Sequence, residues 1–222
     1  MIPHYEIASQ KGLKLNANEG LDFLGQDLNR YPHPSPLISY FSDYYQVQKN
    51  QIMISPGIDG SLDALFKYAR FQRKAVLSFG PTYGLYKILA QQLGVEYREI
   101  APGPLIPMGT IVILCRPNNP TGESWPQKDV WALLKKMDRD SLLYIDEAYA
   151  DFEEEDSMRG LIGHPQVLVG RTLSKAYGLA GLRVGFSLGA PIEKLRPFLP
   201  PYPIPTATVK KIEELIKEDY FF

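Results

Sequence analysis

Lys175 stands in the segment Thr172-Leu173-Ser174-Lys175, flanked by hydroxyls and eight residues before Arg183, in a loop between two strand-like runs. A single lysine is ordinarily a solvated surface charge, so this setting is unusual. Asp146-Glu147-Ala148-Tyr149 closes another apolar run. An acid there can face solvent as a helix cap, or point into a cleft and hold a cationic group. Arg116-Pro117-Asn118-Asn119-Pro120-Thr121-Gly122 follows a third run and, taken alone, is a turn built from standard turn formers. Gly57-Ile58-Asp59-Gly60 opens a helix, where free backbone N–H groups make a phosphate cradle. Neither GxGxxG nor GxxxxGK[ST] occurs, which removes the dinucleotide and P-loop readings.

Short apolar runs alternating with helix-length segments must position these residues. Strands are expected at Gln51–Ser55, Ala75–Phe79, Val95–Ile100, Ile111–Cys115, Leu142–Asp146, Val167–Gly170 and Leu182–Leu188. Helices are expected at Ile58–Arg70, Thr82–Leu93 and Trp125–Arg139, with Ala207–Glu218 showing Val209, Ile212, Leu215 and Ile216 at helical spacing. IVILC and LLYI are apolar on successive residues, as in strands covered on both faces. The pattern predicts an α/β fold, a three-layer sandwich with a mostly parallel central sheet. Ligands in such folds sit beyond the carboxyl ends of the strands.

The domain division expected is a loop-like arm over 1–36, a main body over 37–196, and a proline-rich connector with the start of a helix over 197–222. Asp219-Tyr220-Phe221-Phe222 reads either as a helix end stripped of a packing partner or as a helix docked on its own domain. The 222 residues carry a formal charge of −1, with 45% hydrophobic and 22% charged residues. No basic cluster favours nucleic acid and no apolar run suits a membrane. One cysteine, Cys115, precludes an internal disulfide and suits a reducing, cytoplasmic compartment. His4, His33 and His164 lack metal-ligand spacing, so no metal is expected.

Taken in order, PNNPTG, DEAY and TLSKAYGLAGLRVG closely resemble the fold-type I pyridoxal-phosphate aminotransferases, specifically the histidinol-phosphate aminotransferase family. Leu15–Glu19 (LNANE), Asn29–Pro32 (NRYP) and Pro81–Tyr86 (PTYGLY) resemble that family's segments as well. The resemblance implies pyridoxal phosphate as cofactor, with Lys175 as the lysine that bonds to it and then shuttles the substrate's α-carbon proton. It implies that a cationic, partly desolvated site keeps Lys175 partly deprotonated. Asp146 would pair with the ring nitrogen, and Tyr149 and Asn119 with the ring oxygen. Arg183, Thr172, Ser174 and the Gly57, Ile58 and Asp59 backbone would hold the phosphate, and Tyr83 would stack on the ring. The family's counterpart of Tyr31 reaches a neighbouring subunit's cofactor, which implies a homodimer.

The implied reaction is amino transfer between histidinol phosphate and 2-oxoglutarate; a phosphothreonine-decarboxylase-like activity shares these blocks. Family members are longer, with a small C-terminal domain carrying a substrate-clamping arginine that nothing here matches. Arg196 is near in sequence but fits no family motif. A non-catalytic remnant or half of a split enzyme are the readings of other classes. Gly20 after LNANE and the short Ala101–Thr110 connection, expected to lack a helix, also depart from the pattern.

Overall fold

In the computed structural model, residues 19–25, 28–103, 106–153 and 158–221 are described; Leu15–Asn18 of the LNANE segment, His4 and Phe222 lie outside them. The helices are α1 (Ser35–Tyr45), α2 (Gly57–Gln72), α3 (Leu85–Leu93), α4 (Gln127–Lys136) and α5 (Thr206–Lys217). The strands are β1 (Ile52–Pro56), β2 (Val76–Phe79), β3 (Tyr97–Ile100), β4 (Ile111–Cys115), β5 (Leu142–Asp146), β6 (Val167–Thr172) and β7 (Val184–Leu188). They form one sheet in the order β1-β7-β6-β5-β4-β2-β3, parallel except where β7 meets β1 and β6.

Side-chain alternation divides the interior into two cores, one on each sheet face. Ile111, Ile113, Leu142, Tyr144 and Leu168 point to the side covered by α2 and α3. Val112, Leu114, Leu143, Ile145, Val167 and Val169 point to the side covered by α1, α4 and α5. Every residue of β4, β5 and β6 is buried, as both-sided cover requires. The result is the expected three-layer arrangement.

Differences from the sequence expectation concern ends and one missing helix. Helix α1 begins at Ser35, directly after Pro34, and was not anticipated. Proline supplies no N–H and fits a helix start, so the prolines that read as loop mark its beginning. Pro126 and Pro205 likewise set the starts of α4 and α5. Helix α3 stops at Gly94, whose φ of 62° closes the last turn. Helix α5 docks on its own domain: Val209, Ile212, Leu215 and Phe221 enter the same core as Leu37 and Phe41 of α1. Phe221 is buried against Tyr40 and Tyr177, so of the two readings of this end the helix docked on its own domain holds for that ring.

Candidate active site

The connection Leu173–Arg183 is too short for a helical crossover, so β6 returns as its antiparallel neighbour β7. This hairpin-like return keeps Lys175 and Arg183 together beyond the carboxyl end of β6. Strand β1 pairs antiparallel with β7, placing Pro56 opposite Val184 and delivering the start of α2 to the same edge. There Gly57 N–H donates to the Arg183 carbonyl at 2.9 Å. Strands β4 and β5 run parallel to β6 and end side by side at Cys115 and Asp146.

These ends border an open pocket with about 490 Å³ of empty space, part of it continuous with solvent. Gly57, Ile58, Asp59 and Arg183 line one end, with Thr172 and Ser174 beside them. Tyr83, Asn119 and Tyr149 line the walls, and Lys175 borders the pocket with its Nζ 5.2 Å from the Tyr149 ring centre. Lys175 is exposed, which differs from the expected partly desolvated setting: among the described residues nothing covers the loop's solvent side. Tyr31 lies elsewhere, stacked on Tyr202 at 4.2 Å with its N–H bonded to Glu19. Arg196 caps the carbonyls of Asn50 and Ile52, at the end of β1 remote from the pocket.

The anion end is a preorganised cradle. Arg183 adopts a left-handed φ of 53° and its Nη2 sits 3.2 Å from the Asp59 carboxylate. Ser55 Oγ donates to the Gly57 carbonyl at 2.7 Å and accepts from Ser61, propping the turn from below. Thr172 Oγ1 donates to the Val184 carbonyl, receives the Ser174 N–H, and lies 3.0 Å from Ser174 Oγ. Hydroxyls, a guanidinium and helix N–H groups together suit a phosphate.

At the floor, Asp146 is 2% exposed, and among the described residues no cation pairs with it. Its Oδ2 accepts the Tyr86 hydroxyl at 2.6 Å and its Oδ1 the Ala148 N–H at 3.1 Å. Burial pushes the acid up to about 6, against the pull of those two donors. Burial, reinforced by Asp146, pushes the Cys115 thiol up to about 12. A buried carboxylate lacking a counter-charge is costly, and a cationic ring N–H would relieve that cost.

Behind the floor, Glu147 turns away and binds Arg171 at 2.8 Å, with Arg116 3.7 Å from its other oxygen. Arg171 also pairs with Asp151. This buried network ties together the ends of β4, β5 and β6. Asn118 rather than Asn119 is spent on structure: it bonds to the Pro81 carbonyl and to Thr82 and Thr121, which leaves Asn119 to the pocket.

Sequence reasoning missed three contributors. Cys115 and Ala148 line the pocket, and Tyr86 grips Asp146 from beneath. Cys115 ends an apolar strand and Tyr86 sits inside a helix, so only the β4–β5 pairing and the fold of α3 reveal them. Among the described residues no group of three His, Cys, Asp or Glu side chains could hold a metal, and no helix is long and apolar enough to cross a membrane.

The family model described as aminotransferase class I and II matches residues 17–219. Histidinol-phosphate aminotransferase of Francisella philomiragia subsp. philomiragia is 36% identical over 225 residues, covering 92% of this chain and 62% of that protein. The enzyme of that name from Buchnera aphidicola subsp. Diuraphis noxia is 34% identical, covering 96% of this chain and 66% of its own. Among solved structures, histidinol-phosphate aminotransferase from Sinorhizobium meliloti in complex with pyridoxal-5′-phosphate superposes with a TM-score of 0.71 at 26% identity, covering 87% of this chain and 58% of that one. The chain thus spans 58–66% of the length of these relatives.

Proposed function

Because this chain belongs to the aminotransferase class I and II family, we propose that it is the cofactor-binding body of a pyridoxal-phosphate aminotransferase acting on histidinol phosphate, with 2-oxoglutarate as acceptor. The observation that carries this reading is the pocket's two-ended chemistry. A buried acid without a counter-charge stands at one end and an anion cradle at the other, with a lysine beside them. Bound pyridoxal phosphate supplies a ring that takes up the charge left when an amine loses its α-carbon proton.

The chain's own residues then divide the work. Asp146 holds the proton on the ring nitrogen, and burial strengthens that contact by excluding water. Arg183, Thr172, Ser174 and the Gly57–Asp59 backbone bind the phosphate. Tyr83 would lie against the ring, and Tyr149 and Asn119 would donate to the ring oxygen. Lys175 Nζ is the covalent anchor and the base that moves the α-carbon proton. Its exposure fits a pocket that is closed over by bound substrate or by a second copy of the chain. We place residues 37–196 as the cofactor-binding body and assign a homodimer in which Tyr31 serves the partner's site. The substrate preference is supported by relatives of that name at 34% and 36% identity.

The test is a coupled assay of amino transfer from histidinol phosphate to 2-oxoglutarate, comparing wild type with Lys175→Ala. Glutamate formation lost in the variant supports the assignment. Release of carbon dioxide from threonine phosphate instead would move it to decarboxylation, and neither product would remove the catalytic reading.

A further inference from the structure

We propose that Tyr86 is the positioning residue of the pocket's acid: its phenol fixes the Asp146 carboxylate in one orientation and holds it ionised. The inference rests on the cofactor reading above only in its consequence, that Asp146 then presents a charged oxygen to a ring N–H.

Tyr86 is fully buried in the first turn of α3 and its N–H donates to the carbonyl of Tyr83 in the turn before the helix, the two rings meeting edge-on at 5.6 Å. The turn into α3 thus supplies both a pocket wall, Tyr83, and a grip beneath the floor, Tyr86. The Tyr86 hydroxyl reaches Asp146 Oδ2 at 2.6 Å while Ala148 N–H takes Oδ1 at 3.1 Å. Each carboxylate oxygen therefore has one donor, and the group cannot rotate without losing both. Cys115 lies beside Asp146 in the β4–β5 register and borders the same phenol.

The groups facing Asp146 decide what the phenol must do. Asp59 from the start of α2 and Glu147 at the end of β5 are anionic and disfavour a third negative charge. Tyr83, Tyr86, Tyr144 and the Cys115 thiol are held neutral by burial, so they add no opposing charge. No cation is paired with Asp146 among the described residues. Two hydrogen bonds are what remain to keep it ionised, and the Tyr86 bond is the shorter. A hydrogen bond to a charged group is worth roughly a tenfold change in equilibrium or more.

The experiment uses the full chain and two readings. In ligand-free protein, carbon-13 carboxyl NMR follows the titration of Asp146, assigned with Asp146→Asn. Tyr86→Phe, which removes only the hydroxyl, raises that titration by about one pH unit or more; an unchanged titration overturns the proposal. Dissociation constants are then measured for pyridoxal phosphate and for its deaza analogue, with carbon in place of the ring nitrogen. Tyr86→Phe weakens the first about tenfold and leaves the second unchanged. Equal losses on both would reduce Tyr86 to a structural role. Tyr86→His, which keeps a ring donor, gives an intermediate titration and serves if Tyr86→Phe fails to fold. Wild type that binds neither compound sinks the cofactor reading, while the NMR titration still decides the Tyr86–Asp146 relationship.

Discussion

The Arg183 carbonyl accepts the Gly57 N–H at 2.9 Å, and a Cβ on Gly57 would stand 2.6 Å from Arg183 Nη2. Glycine at 57 is thus what lets the guanidinium fold over the start of α2. Its φ of 67° adds a backbone reason, since other residues adopt that conformation at a cost. Gly57→Ala should displace Arg183 from Asp59 and weaken pyridoxal-phosphate binding by about tenfold. The stability loss should be about 1–2 kcal/mol. Cofactor titration beside a urea melt separates the two effects; a melt shift with unchanged binding would remove Arg183 from the cradle.

Gly185 offers a contrast. A Cβ there would collide with the Gly57 carbonyl carbon and the Ile58 nitrogen, which are backbone atoms and cannot swing aside. Gly185→Ala should cost about 3 kcal/mol or more, exceeding Gly57→Ala despite having no positive φ to strain. Urea melts of the two variants check the order, and a smaller loss for Gly185→Ala would mean that the β1–α2 turn yields more easily than its packing indicates.

Burial raises Asp146 from its ordinary 3.8 to about 6. A raised carboxyl favours folding in its protonated form. Its stabilising contribution is therefore full below about pH 4 and is lost as pH rises through about 6. Asp146→Asn abolishes this titration, so the ligand-free variant should gain on wild type across that window, by on the order of 3 kcal/mol at pH 8. Melts from about pH 4 to 8 test this; a constant difference would mean that Asp146 does not titrate as its burial requires.

Glu147 answers to two buried guanidinium groups, Arg171 at 2.8 Å and Arg116 at 3.7 Å, and also receives the Met158 N–H at 2.6 Å. Glu147→Ala should cost about 3–5 kcal/mol, because it leaves buried cations short of a counter-charge. Glu147→Gln keeps hydrogen-bonding atoms and should cost less. Equal losses would show that charge balance is not what holds the ends of β4, β5 and β6.

Much of this was legible because strand ends and loop composition carry local signals. IVILC and LLYID read as fully buried strands with the bounds observed for β4 and β5, since both-sided cover leaves an unbroken apolar run. The post-strand loops named Asp146, Lys175 and Arg183, and the topology brings all three to one pocket. Helix α1 was hidden because SPLISYFSDYY follows a proline cluster and mixes small polar with aromatic residues. Tyr86 and Cys115 carry no signal of their own: a phenol in an apolar helix face and a thiol closing an apolar strand read as core. Their part depends on α3 lying over β4 and β5, which is a tertiary fact. Lys175 was expected in a partly desolvated site and is exposed in the single chain.

The central claim is that Lys175 is the residue that takes the cofactor. Protein incubated with pyridoxal phosphate, reduced with borohydride, digested and mapped by mass spectrometry tests it directly. The account predicts one stoichiometric addition, on the peptide carrying Lys175, with none in Lys175→Ala. Addition spread over surface lysines, or retained in that variant, would contradict it.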